Sequence, residues 1–271
     1  MDYQGHRGSR GIMPENSIPA FIKALDLSVD TLELDCVISK DMKVVVSHDP
    51  YLNHQICLGP DGEAIESETV AKRDYNIYQM DYHSQIEKCD CGSMGNVRFP
   101  DQVKMKVHKP LLSQVFDQME QYMRDRGLRM KQVRYNIETK SRVDGDDIFH
   151  PKPEVFVSLL YDVLREKNMT RHVMIQSFDV RTLQVMRTVD ARIPLALLVE
   201  REDQNSTEPF DYRMTLDQLG FLPDIYSPHY SLVTNELVSF MHQNNVKVVP
   251  WTANNQALID ELVHLGVDGI I

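Results

Sequence analysis

Short runs rich in Val, Ile and Leu alternate with longer stretches in which apolar residues return every three or four positions. The alternation continues for most of the chain. The short runs predict strands over Asp2–His6, Thr31–Ile38, Lys43–Ser47, Val133–Glu138, Val173–Ser177, Leu195–Val199, Ile225–Ser227, Val246–Trp251 and Gly269–Ile271. The longer stretches predict helices over Ser17–Leu27, Leu112–Arg126, Glu154–Lys167, Val180–Thr188, Asn235–Asn244 and Gln256–Leu265. In Ser17–Leu27 the residues Ile18, Phe21, Ile22 and Leu25 fall on one face. Pro19 sits in its first turn, where a missing N–H does no harm. Repeated strand-then-helix units imply parallel strands with crossover helices. At 271 residues the economical arrangement is a (β/α)8 TIM barrel. Nine strand candidates compete for eight places, so one is expected to lie outside the barrel. The run Gly269-Ile270-Ile271 breaks off within a strand, and further residues are expected beyond it.

The rhythm fails between His48 and Lys109. This stretch is polar, includes Pro60-Asp61-Gly62-Glu63 and Cys91-Gly92-Ser93-Met94-Gly95, and is too long for a plain loop in a compact domain. The expected organisation is one barrel domain over 1–271 with a small insertion, 50–108, packed over the barrel mouth. No internal repeat or low-complexity tract is evident.

An apolar fraction of 42% and a charged fraction of 25% are ordinary for a globular protein. A net charge of −11 argues against a nucleic-acid or anionic-membrane surface, so an anionic substrate would need local positive charge. No apolar run approaches the roughly 18–20 residues of a membrane-spanning helix. Met1-Asp2-Tyr3-Gln4 shows no signal peptide, which fits a cytoplasmic protein or a mature form whose leader has been removed. Cys89-Asp90-Cys91 is too tightly spaced for the usual zinc pair and no second pair follows, so these cysteines read as structural or incidental. Cys36 reads as a small buried hydrophobe.

Candidate chemistry gathers at predicted strand ends. Glu33 and Asp35 are two apart on a strand, so both point to one side while Leu32 and Leu34 point to the other. Two carboxylates on an inner face repel unless a cation lies between them. Glu138 ends a second strand, with Lys140 two residues on. Alone, that pair reads as an ordinary strand-end ion pair; beside Glu33 and Asp35 it completes an oxygen-ligand set for Ca²⁺ or Mg²⁺. His6 and His48 close two other strands, and imidazole can both take and give a proton near neutral pH. Arg7 offers a planar fork for phosphate oxygens, flanked by Gly5 and Gly8. Pro14-Glu15-Asn16-Ser17 reads mainly as a helix start, and Glu15 or Asn16 is a candidate to hold the tautomer of His6. Gln176 is a candidate to point into the site, and Trp251, the single tryptophan, to wall a substrate. His229 and Tyr230 read as turn residues; His108, His150, His172, His242 and His264 read as surface or helix-end histidines. Together these residues read as a phosphodiester-cleaving site.

The motifs resemble, in order, those of the glycerophosphodiester phosphodiesterase family. They are His6-Arg7-Gly8, Pro14-Glu15-Asn16-Ser17, Glu33-Leu34-Asp35, Ser47-His48-Asp49, Glu138-Thr139-Lys140, Gln176-Ser177-Phe178, Trp251-Thr252-Ala253-Asn254 and Gly266-Val267-Asp268-Gly269-Ile270. Each is modest, but eight in sequence are specific and cover nearly the whole chain. The stretch after His48 resembles the family's insertion, at a length more like the longer bacterial forms, which are often periplasmic. The resemblance therefore favours a periplasmic or secreted location over a cytoplasmic one. It implies metal binding by Glu33, Asp35 and Glu138 and acid–base catalysis by His6 and His48. It also implies phosphate contacts from Arg7 and Lys140, with Trp251 near the glycerol. The expected cofactor is one divalent cation, and the expected partner is a small glycerophosphodiester, with no nucleic acid and no stable membrane insertion. Family members usually continue past the last Gly-Ile strand with Thr-Asp, and this chain ends first. Attack by the glycerol 2-hydroxyl, through a cyclic phosphate, and direct attack by water both remain open. A phospholipase-D-like or phosphoinositide-specific phosphodiesterase on the same barrel is the competing enzymatic reading. A binding barrel that has lost catalysis predicts a damaged catalytic set, whereas His6, Glu33, Asp35, His48, Glu138 and Lys140 are all present.

Overall fold

The computed structural model describes residues 1–127, 133–201, 203 and 210–271. Strands β1 (Asp2–Gly5), β2 (Thr31–Ile38), β3 (Val44–Val46), β4 (Arg134–Thr139), β5 (Val173–Ser177), β6 (Leu195–Val199), β7 (Ile225–Pro228), β8 (Lys247–Val248) and β9 (Gly269–Ile270) alternate with helices. The helices are α1 (Ile18–Asp26), α2 (Glu68–Asp74), α3 (Leu112–Asp125), α4 (Pro153–Glu166), α5 (Val180–Val189), α6 (Tyr212–Leu219), α7 (Asn235–Gln243) and α8 (Gln256–His264). Eight strands pair in parallel in the order β8-β7-β6-β5-β4-β2-β1-β9. Backbone hydrogen bonds span the seam between the ends of that order: Asp268 N–H to the Val248 carbonyl at 2.8 Å, Ile271 N–H to the Pro250 carbonyl at 3.0 Å and Ala253 N–H to the Ile271 carbonyl at 3.0 Å. The fold is a nearly closed (β/α)8 barrel.

The ninth candidate, Lys43–Ser47, is the one outside the barrel. It forms β3, which folds back antiparallel on β2 with Cys36 opposite Val46 and Ile38 opposite Val44. The predicted strand Val246–Trp251 is shorter than its apolar run, because Pro250 has no N–H for a ladder. The run still follows β7, with Val249 N–H donating to Tyr226 and Trp251 N–H to Pro228. Helix α6 was not predicted: it has only eight residues. It is capped by Asp211 and ends on left-handed Gly220.

Alternation along the strands sorts the core. Leu32, Leu34, Tyr135, Ile137, Ile175 and Leu197 face outward and pack on Phe21, Val115, Phe116, Phe156, Leu160 and Leu183 of the helices. Inside, Asn136 donates both to Gln4 and to Gln176 at 2.8 Å, while Met174, Ala196, Ile225, Val249 and Ile271 form a separate apolar cluster. The polar half of the interior lies under β1, β2 and β4, and the apolar half under β5 to β8.

The stretch 50–108, polar by composition, builds an apolar core of its own. Leu52, Ile56, Ile65, Ile77, Tyr82 and Ile86 pack on Val37 and Val45 of the β2–β3 hairpin. Their irregular spacing gives no helical or strand period, so the cluster is invisible as a pattern. A Cys57–Cys91 disulfide staples this unit, so neither cysteine is incidental; Cys36 and Cys89 are free and buried. Among the described residues no helix is long and apolar enough to cross a membrane.

Candidate active site

The first strand ends in a turn that aims backbone and side chain at the second. Arg7 adopts a left-handed φ of 51°, which points its N–H at Glu33 Oε2, 2.7 Å away. Gly8, at φ 83°, passes so close to α1 that a Cβ would lie 2.7 Å from the Ala20 carbonyl carbon. The Arg7 guanidinium pairs with Glu15 at 2.7 Å and lies 3.5 Å from Asp35. These carboxylates hold it firmly protonated even though burial opposes its charge.

Glu33, Asp35 and Glu138 are all buried, and one oxygen from each lies within 4.8 Å of the others. The register explains the meeting: β2 and β4 pair Asp35 directly with Glu138, and Glu33 stands two residues back on the same face. Burial and the neighbouring Asp35 push Glu33 well above the usual carboxylate range. Burial, with Asp35 beside it, raises Glu138 to about 7 despite its 2.8 Å ion pair with Lys140. Burial would raise Asp35 too, but His48, Arg7, Lys140 and a 2.7 Å hydrogen bond from Asn16 hold it far below its ordinary value. Gln176 donates to Glu33 at 2.9 Å and accepts from Asn136. Three inward carboxylates, two of them pushed toward protonation and all of them hard oxygen donors, form a set that fits a divalent cation.

His6 and His48 line the same cavity as that cluster, a cleft of about 1020 Å³. Burial lowers both imidazoles from their ordinary value; Arg10 and Arg7 add to this for His6, and Lys140 for His48. Both rings are therefore shifted toward the neutral form. His48 Nδ1 lies 3.0 Å from Asp49, which in turn accepts from Asn53 at 2.8 Å. His6 Nδ1 lies 3.2 Å from Thr252 Oγ1, and its Nε2 lies 3.9 Å from Glu33. The partner of His6 is thus Thr252 and not Glu15 or Asn16, which are held by Arg7 and Asp35.

Across the cleft stand Trp251, Phe178 and Leu198. The Trp251 indole N–H donates to the Ser227 carbonyl at 3.0 Å, and its ring meets Phe178 edge-on at 5.4 Å and His229 at 5.2 Å.

The glycerophosphoryl diester phosphodiesterase profile matches residues 6–271. The chain belongs to that family. A glycerophosphodiester phosphodiesterase of Caldanaerobacter subterraneus subsp. tengcongensis is 26% identical over 266 residues, covering 98% of this chain and 91% of the relative. One from Bacillus subtilis is 26% identical over 271 residues, covering 98% and 80%. Among solved structures, a glycerophosphoryl diester phosphodiesterase described for Silicibacter pomeroyi superposes with a TM-score of 0.85 at 25% identity, covering 100% of this chain and 89% of its own. An Oleispira antarctica phosphodiesterase in complex with sn-glycerol-3-phosphate shares the fold, with a TM-score of 0.71 at 20% identity over 100% and 92%.

As a member of this phosphodiesterase family the chain is an enzyme, and every residue expected at its site lines the one cleft. His6, Arg7, Glu33, Asp35, His48, Glu138, Lys140, Gln176 and Trp251 all do so. Sequence reasoning missed their supports. Asp49 follows His48 directly, a signal that was available. Asn16, a candidate for His6, holds Asp35 instead, and Thr252 acts across the fold, where it leaves no local mark. His150, read as a surface or helix-end residue, is buried and lines the cleft; its Nε2 accepts from Arg142 N–H at 3.0 Å and so fixes the loop after β4. The irregular loop around it gave no pattern from which burial follows. His229 caps a short turn, as read, and also meets Trp251 edge-to-face.

Proposed function

We propose that this enzyme hydrolyses glycerophosphodiesters to glycerol 3-phosphate and an alcohol, with His6 and His48 as the acid–base pair. The observation that carries the reading is three mutually facing buried carboxylates with two imidazoles in one cleft. Glu33, Asp35 and Glu138 would hold one Ca²⁺ or Mg²⁺. When bound, such an ion neutralises phosphate charge and makes a nearby hydroxyl more acidic. One imidazole accepts the proton of the attacking glycerol hydroxyl or water, and the other gives a proton to the departing alcohol; if the glycerol hydroxyl attacks, a cyclic phosphate forms and water opens it in a second step. Arg7 and Lys140 meet the negative charge on the non-bridging oxygens. Asp49 on His48 and Thr252 on His6 orient the two rings. Trp251 and Phe178 offer an apolar wall for the glycerol carbons, and the unit 50–108 roofs the other side with Tyr51 and Arg98. The Cys57–Cys91 disulfide supports a periplasmic or secreted location, since such bonds persist in oxidising compartments.

The test is release of glycerol 3-phosphate from glycerophosphocholine with Ca²⁺ or Mg²⁺ supplied, beside its acylated counterpart, a lysophospholipid. The expected result is faster cleavage of the deacylated ester, abolished by chelator. Preference for the lysophospholipid would establish the phospholipase-D-like reading instead, and activity indifferent to chelator would remove the cation.

A further inference from the structure

We propose that Arg10 and Arg98 form a second anion subsite at the cleft mouth, which takes a negatively charged group on the departing alcohol. The inference rests on the phosphodiesterase reading above and specifies its substrate class.

Six Arg and Lys side chains line the cleft. Four have a carboxylate within ion-pair distance: Arg7 with Glu15, Lys140 with Glu138, Lys72 with Glu68 and Arg142 with Asp144. Arg10 and Arg98 have none among the described residues. Arg10 is only 7% exposed, and its guanidinium is seated over the Phe99 ring at 5.0 Å. The Arg10 carbonyl accepts from Gln102 at 2.7 Å, and Val103 N–H donates to Ile12, so the segment carrying Arg98 and Phe99 is pinned against Arg10. Burial, with Arg7 and Arg98 nearby, lowers Arg10 to about 10. Glu15 and Glu33 act on it only from beyond ion-pair distance; a buried guanidinium without a direct carboxylate partner, facing other cations, is costly, and an arriving anion offsets that cost.

The place of the pair assigns it to the alcohol. Arg98 is exposed on the unit 50–108, whereas Glu33, Asp35 and Glu138, where the scissile phosphate belongs, are buried. An anion touching both arginines therefore lies toward the rim. A cleft of about 1020 Å³ is at the top of the range for drug-sized ligands and leaves room beyond a glycerol phosphate. The fitting substrate is a diester whose alcohol carries its own phosphate.

The experiment compares two diesters, glycerophosphoglycerol and the same molecule with a phosphate on its second glycerol. The wild type is expected to favour the phosphate-bearing ester in kcat/KM by roughly ten- to hundredfold, as charge-assisted contacts allow. Arg10→Gln and Arg98→Ala should each shrink that ratio, and added salt should shrink it further. Equal losses on both esters would place Arg10 on the scissile phosphate and overturn the proposal, as would a wild-type ratio near one. Should Arg10→Gln fail to fold, Arg98→Ala, at an exposed position, must still lower the ratio or the proposal fails. Cleavage of neither ester would overturn the phosphodiesterase reading itself.

Discussion

The two sides of the cleft differ in kind. The wall formed by β1, β2, β3 and β4 carries His6, Arg7, Glu33, Asp35, His48, Glu138 and Lys140. The wall formed at β5 to β8 carries Gln176, Leu198 and Trp251, with Phe178 beside them. The charges proposed to act on one phosphorus sit on neighbouring strands, where register sets their spacing. The facing side would supply shape for uncharged carbon. Loss of charge on the first wall should therefore cost turnover, and loss of bulk on the second should cost binding.

The sharpest break is the double change Glu33→Ala with Asp35→Ala. It should abolish activity at every Ca²⁺ or Mg²⁺ concentration, and calorimetric titration should show no tight cation binding; retained binding would sink the assigned ligand set. Next in size, His6→Ala and His48→Ala should each lower kcat by roughly 10²–10⁴-fold, the usual worth of a proton-transfer group. Near-normal kcat for both would refute the acid–base pair. On the other wall, Trp251→Ala should act mainly on KM, raising it by roughly tenfold for the loss of an apolar contact. A fall confined to kcat would blur the division between the walls.

The smallest effect sharpens the electrostatics. Folding raises Glu138 from 4.5 to about 7, so the folded protein binds that proton more tightly than the unfolded chain. Its contribution is fully present below pH 4.5 and is lost as pH rises through 7. Without metal, Tm of the wild type should therefore fall relative to Glu138→Gln across this window, by a few degrees. Added Ca²⁺ should remove the deficit at the upper end. Parallel Tm curves for the two proteins would show that Glu138 is not strained.

Much of the first wall was legible in the sequence, because alternation tells which side chains share a face. Glu33 and Asp35 two apart on an apolar strand were enough to place both inside. The direction of β3 was not legible, since Val44–Val46 looks the same whichever way it pairs. Nor was the link from Thr252 to His6, across 246 residues, or the packed interior of 50–108. Periodicity reports burial along one element; it carries nothing about which loops meet. The second wall was harder for the same reason, because a lone Trp251 reads equally as core or as site.

The reversal of β3 on β2 has a consequence for the order in which the site comes together. That tight hairpin ties His48 to Asp35 by local chain, at small entropic cost. With β4 alongside, the acidic cluster and one imidazole lie within the first 138 of 271 residues. The other imidazole is locked only when the last strand docks against the first and brings Thr252 with it. On the proposed roles, cation capture would precede catalytic competence, and activity would wait until the ring has shut.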